Sequence, residues 1–187
     1  PYAQRRTALG LVQLLAAFNI DFDLRQWMSA AEKQLPIAMS DENRKACFDF
    51  IVGRLKNKLT DQGYRYDVVD AVLAEQQNNP AGVLRSVRQL ERWVARPDWN
   101  TILPAYARCV RITRGQPGPF SLDEALFQED EEGELFQALK NARSAAGSAG
   151  SLDDRLLAFL PMIPVINRFF DAVLVMAEDP IVRSNRL

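Results

Sequence analysis

The sequence predicts an all-α fold, and three observations carry that reading. Apolar residues recur at three- and four-residue steps along nearly the whole chain, which is the period of a helix with one buried face. No segment alternates apolar and polar with the period of two that a half-buried strand requires. Helix-starting and helix-stopping residues stand at the edges of the stripes, and no internal repeat is present.

Taken in order, Leu9, Val12 and Leu15 mark a first helix, and Leu24, Trp27, Met28 and Ala31 a second. Ser40 is placed to cap a third, in which Cys47, Phe48, Ile51, Val52, Leu55 and Leu59 form the stripe and Gly63 supplies the stop. A fourth begins near Asp67 and buries Val68, Val69, Val72 and Leu73. Asn79 and Pro80 start a fifth, with Val83, Leu84, Val87, Leu90 and Val94 inward. The Arg96-Pro97-Asp98 break reads as a domain boundary, because Pro disfavours a helical residue before it.

Beyond that break, Asp98 is expected to cap a helix whose apolar side is Ile102, Leu103, Tyr106, Cys109 and Val110, with Pro104 as a possible kink. GQPGPF is a loop by composition, and Ser121 with Glu124 has capping-box spacing. The small residues from Ser144 to Gly150 read as a mobile surface loop. Ser151 restarts a helix through Leu152, Leu156 and Phe159, and Pro161 and Pro164 are expected to break the chain. The closing stretch holds a Phe-, Val- and Leu-rich helix, then an Asp179-Pro180 start whose run stops before two turns. A helix that short rarely stands alone, so the chain reads as cut from a longer protein.

Composition narrows the function classes. With 187 residues, 48% of them hydrophobic, the chain can bury a substantial core. A formal net charge of −1 is unlike a nucleic-acid binder as an average, so charge has to be mapped along the chain. Cys47 and Cys109 lie far apart and there is no His, which removes Ser-His and Cys-His nucleophiles and the commonest metal ligand. The two thiols are expected to be reduced and mostly buried. No apolar run approaches membrane-spanning length and no signal peptide opens the chain, so a soluble, cytoplasmic protein is expected.

The final stretch, NRFFDAVLVMAEDPIVRSNRL, resembles the closing helices of the DALR-type anticodon-binding domain, in the variant of the bacterial-type glycyl-tRNA synthetase beta subunit. Phe169, Phe170, Asp171, Val173, Met176, Glu178, Asp179, Arg183, Asn185, Arg186 and Leu187 carry the likeness. PYAQRRTALGLVQLL, FIVGRLKNKLTDQGYRYDVVDAVLA and AYARCVRI resemble further helices of that subunit in the same order. The resemblance implies a helical connector over residues 1–96, following a His-Asp hydrolase-like domain, and a C-terminally truncated DALR-type helical bundle over 97–187. It also implies that the segment is itself non-catalytic, with no metal site and no cofactor, while the full enzyme uses ATP and magnesium. The implied partners are glycine tRNA and an alpha subunit, in an assembly of two alpha and two beta chains.

Two arginine runs are the candidate RNA contacts. Arg85, Arg88, Arg92 and Arg96 recur at steps of three, four and four, along one helix face. Arg108, Arg111 and Arg114 follow at steps of three, and only Glu91 and Asp98 are acidic across both runs. A line of fixed guanidinium groups suits a phosphate backbone; a solvated face balanced by acids from another helix is the ordinary alternative. Arg108 and Arg111 match the Ala, Arg, Arg-Ile pattern of the helix implied to receive the anticodon arm. Trp93, Trp99 and Tyr106 are interleaved with these arginines as stacking candidates; Trp99 is expected to be the exposed ring and Tyr106 to be core. Glu129, Asp130, Glu131, Glu132 and Glu134 lack calcium-loop spacing and read as a solvated helix face. Arg183 and Arg186 are expected to pack their stems and keep their heads in water. The functional expectation is a tRNA-binding module; the alternative is a helical scaffold for assembly with the alpha subunit that touches no RNA.

Overall fold

The computed structural model describes residues 2–116, 118, 120, 122–148 and 150–187. Among these are ten α-helices, a single short 3-10 turn and no strand, the all-α class expected. The chain divides into two compact units, Pro1–Val94 and Ala95–Leu187.

The first unit holds α1 (Tyr2–Ala17), α2 (Leu24–Glu32), α3 (Asp41–Asp61), α4 (Tyr66–Gln76) and α5 (Pro80–Val94). Helix α1 packs on α3 and α5, α4 packs on α5 and α3, and α2 lies on α3. The apolar stripes meet in one core that includes Val12, Leu15, Leu24, Phe48, Leu55, Leu59, Val69, Val83 and Val87. Each such side chain contributes about 1.5–3 kcal/mol on burial. Ser40 caps α3 by accepting the Asn43 N–H at 3.2 Å. Gly63, at φ 91°, takes the left-handed turn that ends this helix, a conformation that would strain any residue with a Cβ. Three members of the expected stripes are exposed, Ala31 among them. Cys47 is exposed, on the edge of α3 rather than its inner face, and Trp27 is exposed, stacked on Phe22 with ring centroids 5.0 Å apart.

The second unit holds α6 (Trp99–Thr113), the 3-10 turn Glu124–Leu126, α7 (Asp130–Ala146), α8 (Leu152–Phe159), α9 (Met162–Ala172) and α10 (Pro180–Arg186). Helices α8 and α9 both pack on α7, and α6 lies on α9. Here several local expectations are corrected. Asp98 stands at the start of α6 without capping it, because its carboxylate instead takes the Arg96 guanidinium at 2.7 and 2.8 Å. Ser121 lies outside the described residues, and the turn at Glu124 is capped by Asp123, which accepts the Ala125 N–H at 2.9 Å. Ser144, Ala145 and Ala146 continue α7 instead of opening a loop, since Ala favours a helix; the stop is Gly147 at φ 63°.

Pro164 does not break the chain either. It occupies the first turn of α9, where an N–H would have no intrahelical acceptor anyway. The helix then ends at Ala172, earlier than the apolar run suggests. Val173 and Val175 are both buried against Phe169, with Val173 in extended backbone. On a helix, residues two apart face nearly opposite ways, whereas extended backbone turns both to one side. Asp179 does cap α10 as expected, accepting the Ile181 N–H at 2.8 Å, with Pro180 at the first helical position.

The largest departure concerns Glu132 and Arg186. Neither is solvated: their side chains are 3% and 6% exposed and meet at 2.9 Å. Glu132 Oε2 also accepts the Gln128 and Glu129 N–H groups at 2.7 and 2.8 Å. Arg186 donates further to the Leu174 carbonyl and to Gln128 Oε1, each at 3.1 Å. Beside it, buried Asn185 accepts the Asp123 N–H at 2.6 Å and donates to the Asp123 carbonyl at 3.1 Å. Burial would push the Glu132 carboxyl up, but Arg186 and the two N–H groups outweigh it and hold the carboxyl below its ordinary value.

Replacing Glu132 with Ala strands the Arg186 charge, so urea denaturation should show a loss of about 3–5 kcal/mol. Folding lowers the Glu132 pKa, so the pair's stabilisation is complete above the ordinary carboxylate range and disappears as pH falls through the depressed folded-state value. Acid titration of the wild type should therefore lose stability below that range, and Glu132→Gln should flatten this part of the profile.

Candidate nucleic-acid interface

Arg85, Arg88 and Arg92 belong to the first unit, on the outer side of α5. Their steps of three and four keep them on one face, opposite Val83, Val87 and Leu90. They are not equivalent. Arg85 is half-buried, pairs with Asp21 at 2.5 Å and also donates to Asn19. Asp21 further accepts from Asn79 at 2.7 Å, and this bond together with Arg85 lowers its pKa. The neighbouring Asn78 donates to Asp23 at 2.8 Å, while its carbonyl accepts the Leu24 N–H at 2.9 Å. Arg85 thus fastens the α1–α2 connection to the start of α5. Arg88 is exposed, with Nε donating to the Tyr64 hydroxyl at 3.1 Å, and Arg92 is exposed. Trp93 is buried, at 5% exposure, and offers no ring to a base.

Arg96 lies beyond the end of α5, in the second unit, where it is tied to Asp98. Helix α6 carries Arg108 and Arg111, and Arg114 follows its last residue in extended backbone. Arg108 leans toward α9: its guanidinium sits 4.4 Å from the Phe170 ring centroid, donates to the Phe170 carbonyl at 3.3 Å, and lies 3.6 Å from Asp171. A cation there also meets the negative end of the α9 dipole. Arg108 is accordingly a clamp between two helices. Arg111, one turn along α6 from Arg108, and Arg114, just past the end of that helix, are exposed. Arg111 bonds only the Ala107 carbonyl one turn back, at 3.2 Å, and neither has an acidic partner among the described residues. Trp99 is half-buried at the start of α6, not the open ring expected.

Tyr106 reverses its expectation as well. It is 56% exposed and touches Phe159 edge to face, with centroids 6.1 Å apart. Two apolar stripes overlap on α6. Ile102, Ala105, Cys109 and Ile112 turn inward, leaving Leu103 and Tyr106 outside. Burial raises the Cys109 thiol pKa, so that group stays protonated and unreactive. Among the described residues no cluster of His, Cys, Asp or Glu could hold a metal ion, and no helix is long and apolar enough to cross a membrane.

The comparisons with known proteins point to one class, the aminoacyl-tRNA synthetases. Residues 1–74 match the family model described as glycyl-tRNA synthetase beta subunit. Over its full length the chain is similar to proteins named glycine–tRNA ligase beta subunit. It is 34% identical to that of Janthinobacterium sp. (strain Marseille), covering 27% of that protein. It is 30% identical to that of Halalkalibacterium halodurans and 33% identical to that of Geotalea daltonii, covering 28% of each. The chain thus spans little more than a quarter of the length of these curated relatives.

The division between clamping and open arginines is measurable in stability. Arg108→Ala should lower the unfolding free energy measured in urea by about 1 kcal/mol, the usual size of a partly exposed cation–π and ion-pair contact. Arg111→Ala should leave it unchanged to within about 0.5 kcal/mol. Equal effects at the two positions would contradict the assignment of Arg108 as the clamp.

Proposed function

We propose that this chain is a tRNA-binding helical segment of a glycyl-tRNA synthetase beta subunit. In this reading residues 97–187 are a DALR-type anticodon-binding domain and residues 1–96 a helical connector before it. Full-length similarity to glycine–tRNA ligase beta subunits is the observation that carries the proposal. The segment would hold the anticodon arm of glycine tRNA in the cytoplasm, while the complete two-alpha, two-beta enzyme attaches glycine with ATP and magnesium. Its mechanism is positioning: phosphate contacts set register, and a few stacking or polar contacts read bases. Arg111 and Arg114 are the leading phosphate contacts, with Arg88 and Arg92 next. Arg85 and Arg108 support the surfaces that present them, and Trp99 contributes at most one partly covered ring.

A second reading is favoured by a different observation. An open apolar groove of about 610 Å³ lies between α1 and α3, lined by Ala3, Leu11, Cys47, Phe50 and Ile51. A protein partner such as the alpha subunit could occupy it, leaving the helices as a scaffold without RNA contact.

RNA binding measured across a salt series separates the readings. The proposal expects glycine tRNA to bind with a steep salt dependence and more tightly than a tRNA with altered anticodon bases. Arg111→Glu combined with Arg114→Glu should weaken binding and reduce the slope of log K against log salt by about 1.5, the value for two lost phosphate contacts. Absence of binding, or binding that ignores the anticodon, the salt and both charge reversals, supports the scaffold.

A further inference from the structure

We propose that Tyr106 is a stacking platform for an unpaired nucleobase, an inference that rests on the tRNA-binding reading and assigns a base contact within it. Three observations converge on this ring. The first is its exposure: more than half of a large aromatic side chain faces water from the middle of a helix. The second is its bracing. Phe159 of α8 meets it at an interplanar angle of 81°, an edge-to-face contact that restricts the ring while leaving surface uncovered. A ring already held in place loses little further freedom when a base lands on it.

The third observation is the charge around it. Helix α6 carries no acidic residue from Trp99 to Thr113. Arg111, later on α6, and Arg114, just past its end, are exposed and without acidic partners among the described residues. On α8, Arg155 stands one turn before Phe159, a spacing that makes the two side chains neighbours. Arg155 is exposed and no acidic partner is found for it among the described residues. Of the α8 acids, Asp154 is committed to Ser151, accepting its N–H at 2.9 Å and its hydroxyl at 2.8 Å, and Asp153 is half-buried. An exposed aromatic ring on an acid-free helix, with exposed guanidinium groups on the same helix, just past its end and on the bracing helix, is the composition that binds single-stranded RNA: bases stack on the ring while the cations follow the phosphates. An apolar protein partner would gain the Tyr106 and Leu103 surface but would have to desolvate Arg111, Arg114 and Arg155, so RNA is the occupant the charges favour.

The test uses the whole chain and the anticodon stem-loop of glycine tRNA, alongside the same stem-loop with abasic sites in the loop. Tyr106→Leu should weaken binding of the intact stem-loop by roughly 5- to 100-fold, the size of one lost base–aromatic stack. The salt slope should not change, because no phosphate contact is removed. On the abasic loop Tyr106→Leu and wild type should bind alike, and Tyr106→Phe should bind the intact loop like wild type. Circular dichroism of both variants confirms the fold. Wild-type affinity in Tyr106→Leu overturns the stacking assignment, and if the Arg111 and Arg114 reversals still weaken binding in that case, the tRNA-binding reading stands. A Tyr106→Leu defect of equal size on intact and abasic loops also overturns it, since the ring would then not be contacting a base. Absence of RNA binding by the wild type overturns both.

Discussion

Glu132 and Arg186 are the pair on which the second unit depends. A carboxylate and a guanidinium taken out of water together are stable only when their remaining hydrogen-bonding capacity is met, and here it is met from several directions. Two backbone N–H groups at the start of α7 complete Glu132; the Leu174 carbonyl and the Gln128 amide complete Arg186. The network therefore ties the first turn of α7 to α10 and to the segment that follows α9. Asn185, one residue away, extends the tie to the backbone at Asp123. A seven-residue helix that would melt alone is held by these bonds and by the packing of Leu187 with Phe169, Val173 and Val175. Its final residues are thus fastenings rather than RNA contacts.

The same accounting sorts the other arginines. A guanidinium already held by a carboxylate and a second acceptor is satisfied, and turning it toward phosphate would break those contacts. Arg85 and Arg108 are in that position, each joining segments more than sixty residues apart. Arg111 and Arg114 are not, and this is what makes the outer face of α6 available. The near-zero net charge of the chain conceals this segregation, since acids such as Asp21, Glu132 and Asp171 are paired with arginines inside each unit.

Much of the fold was legible in the sequence because its signals are local. Ser40 before a stripe, Gly63 after it, Asn79-Pro80, and Asp179-Pro180 each act within a turn or two, and each marks a helix edge in the structure. The local details that came out differently were those where two readings competed. Asp98 stands at the start of α6 as expected but gives its carboxylate to Arg96, Pro164 fell in a first turn that tolerates it, and Val173 left the helix in extended backbone, with Val173 and Val175 both buried.

The candidate site was less legible, for a reason visible on α6. Ile102, Ala105, Cys109 and Ile112 form one helical stripe and Leu103, Tyr106 and Val110 another, about a quarter-turn away; periodicity alone supports either. Packing against α9 selected the first and turned Tyr106 out, while on α5 it turned Trp93 in. The sequence by itself determined the all-α class, most helix edges and the spacing that puts Arg85, Arg88 and Arg92 on a common face, because these depend on neighbours within a few residues. Only the tertiary structure decided which stripe is buried, which arginines are consumed as clamps and which aromatic ring is left open, because each of those depends on partners brought together from distant parts of the chain.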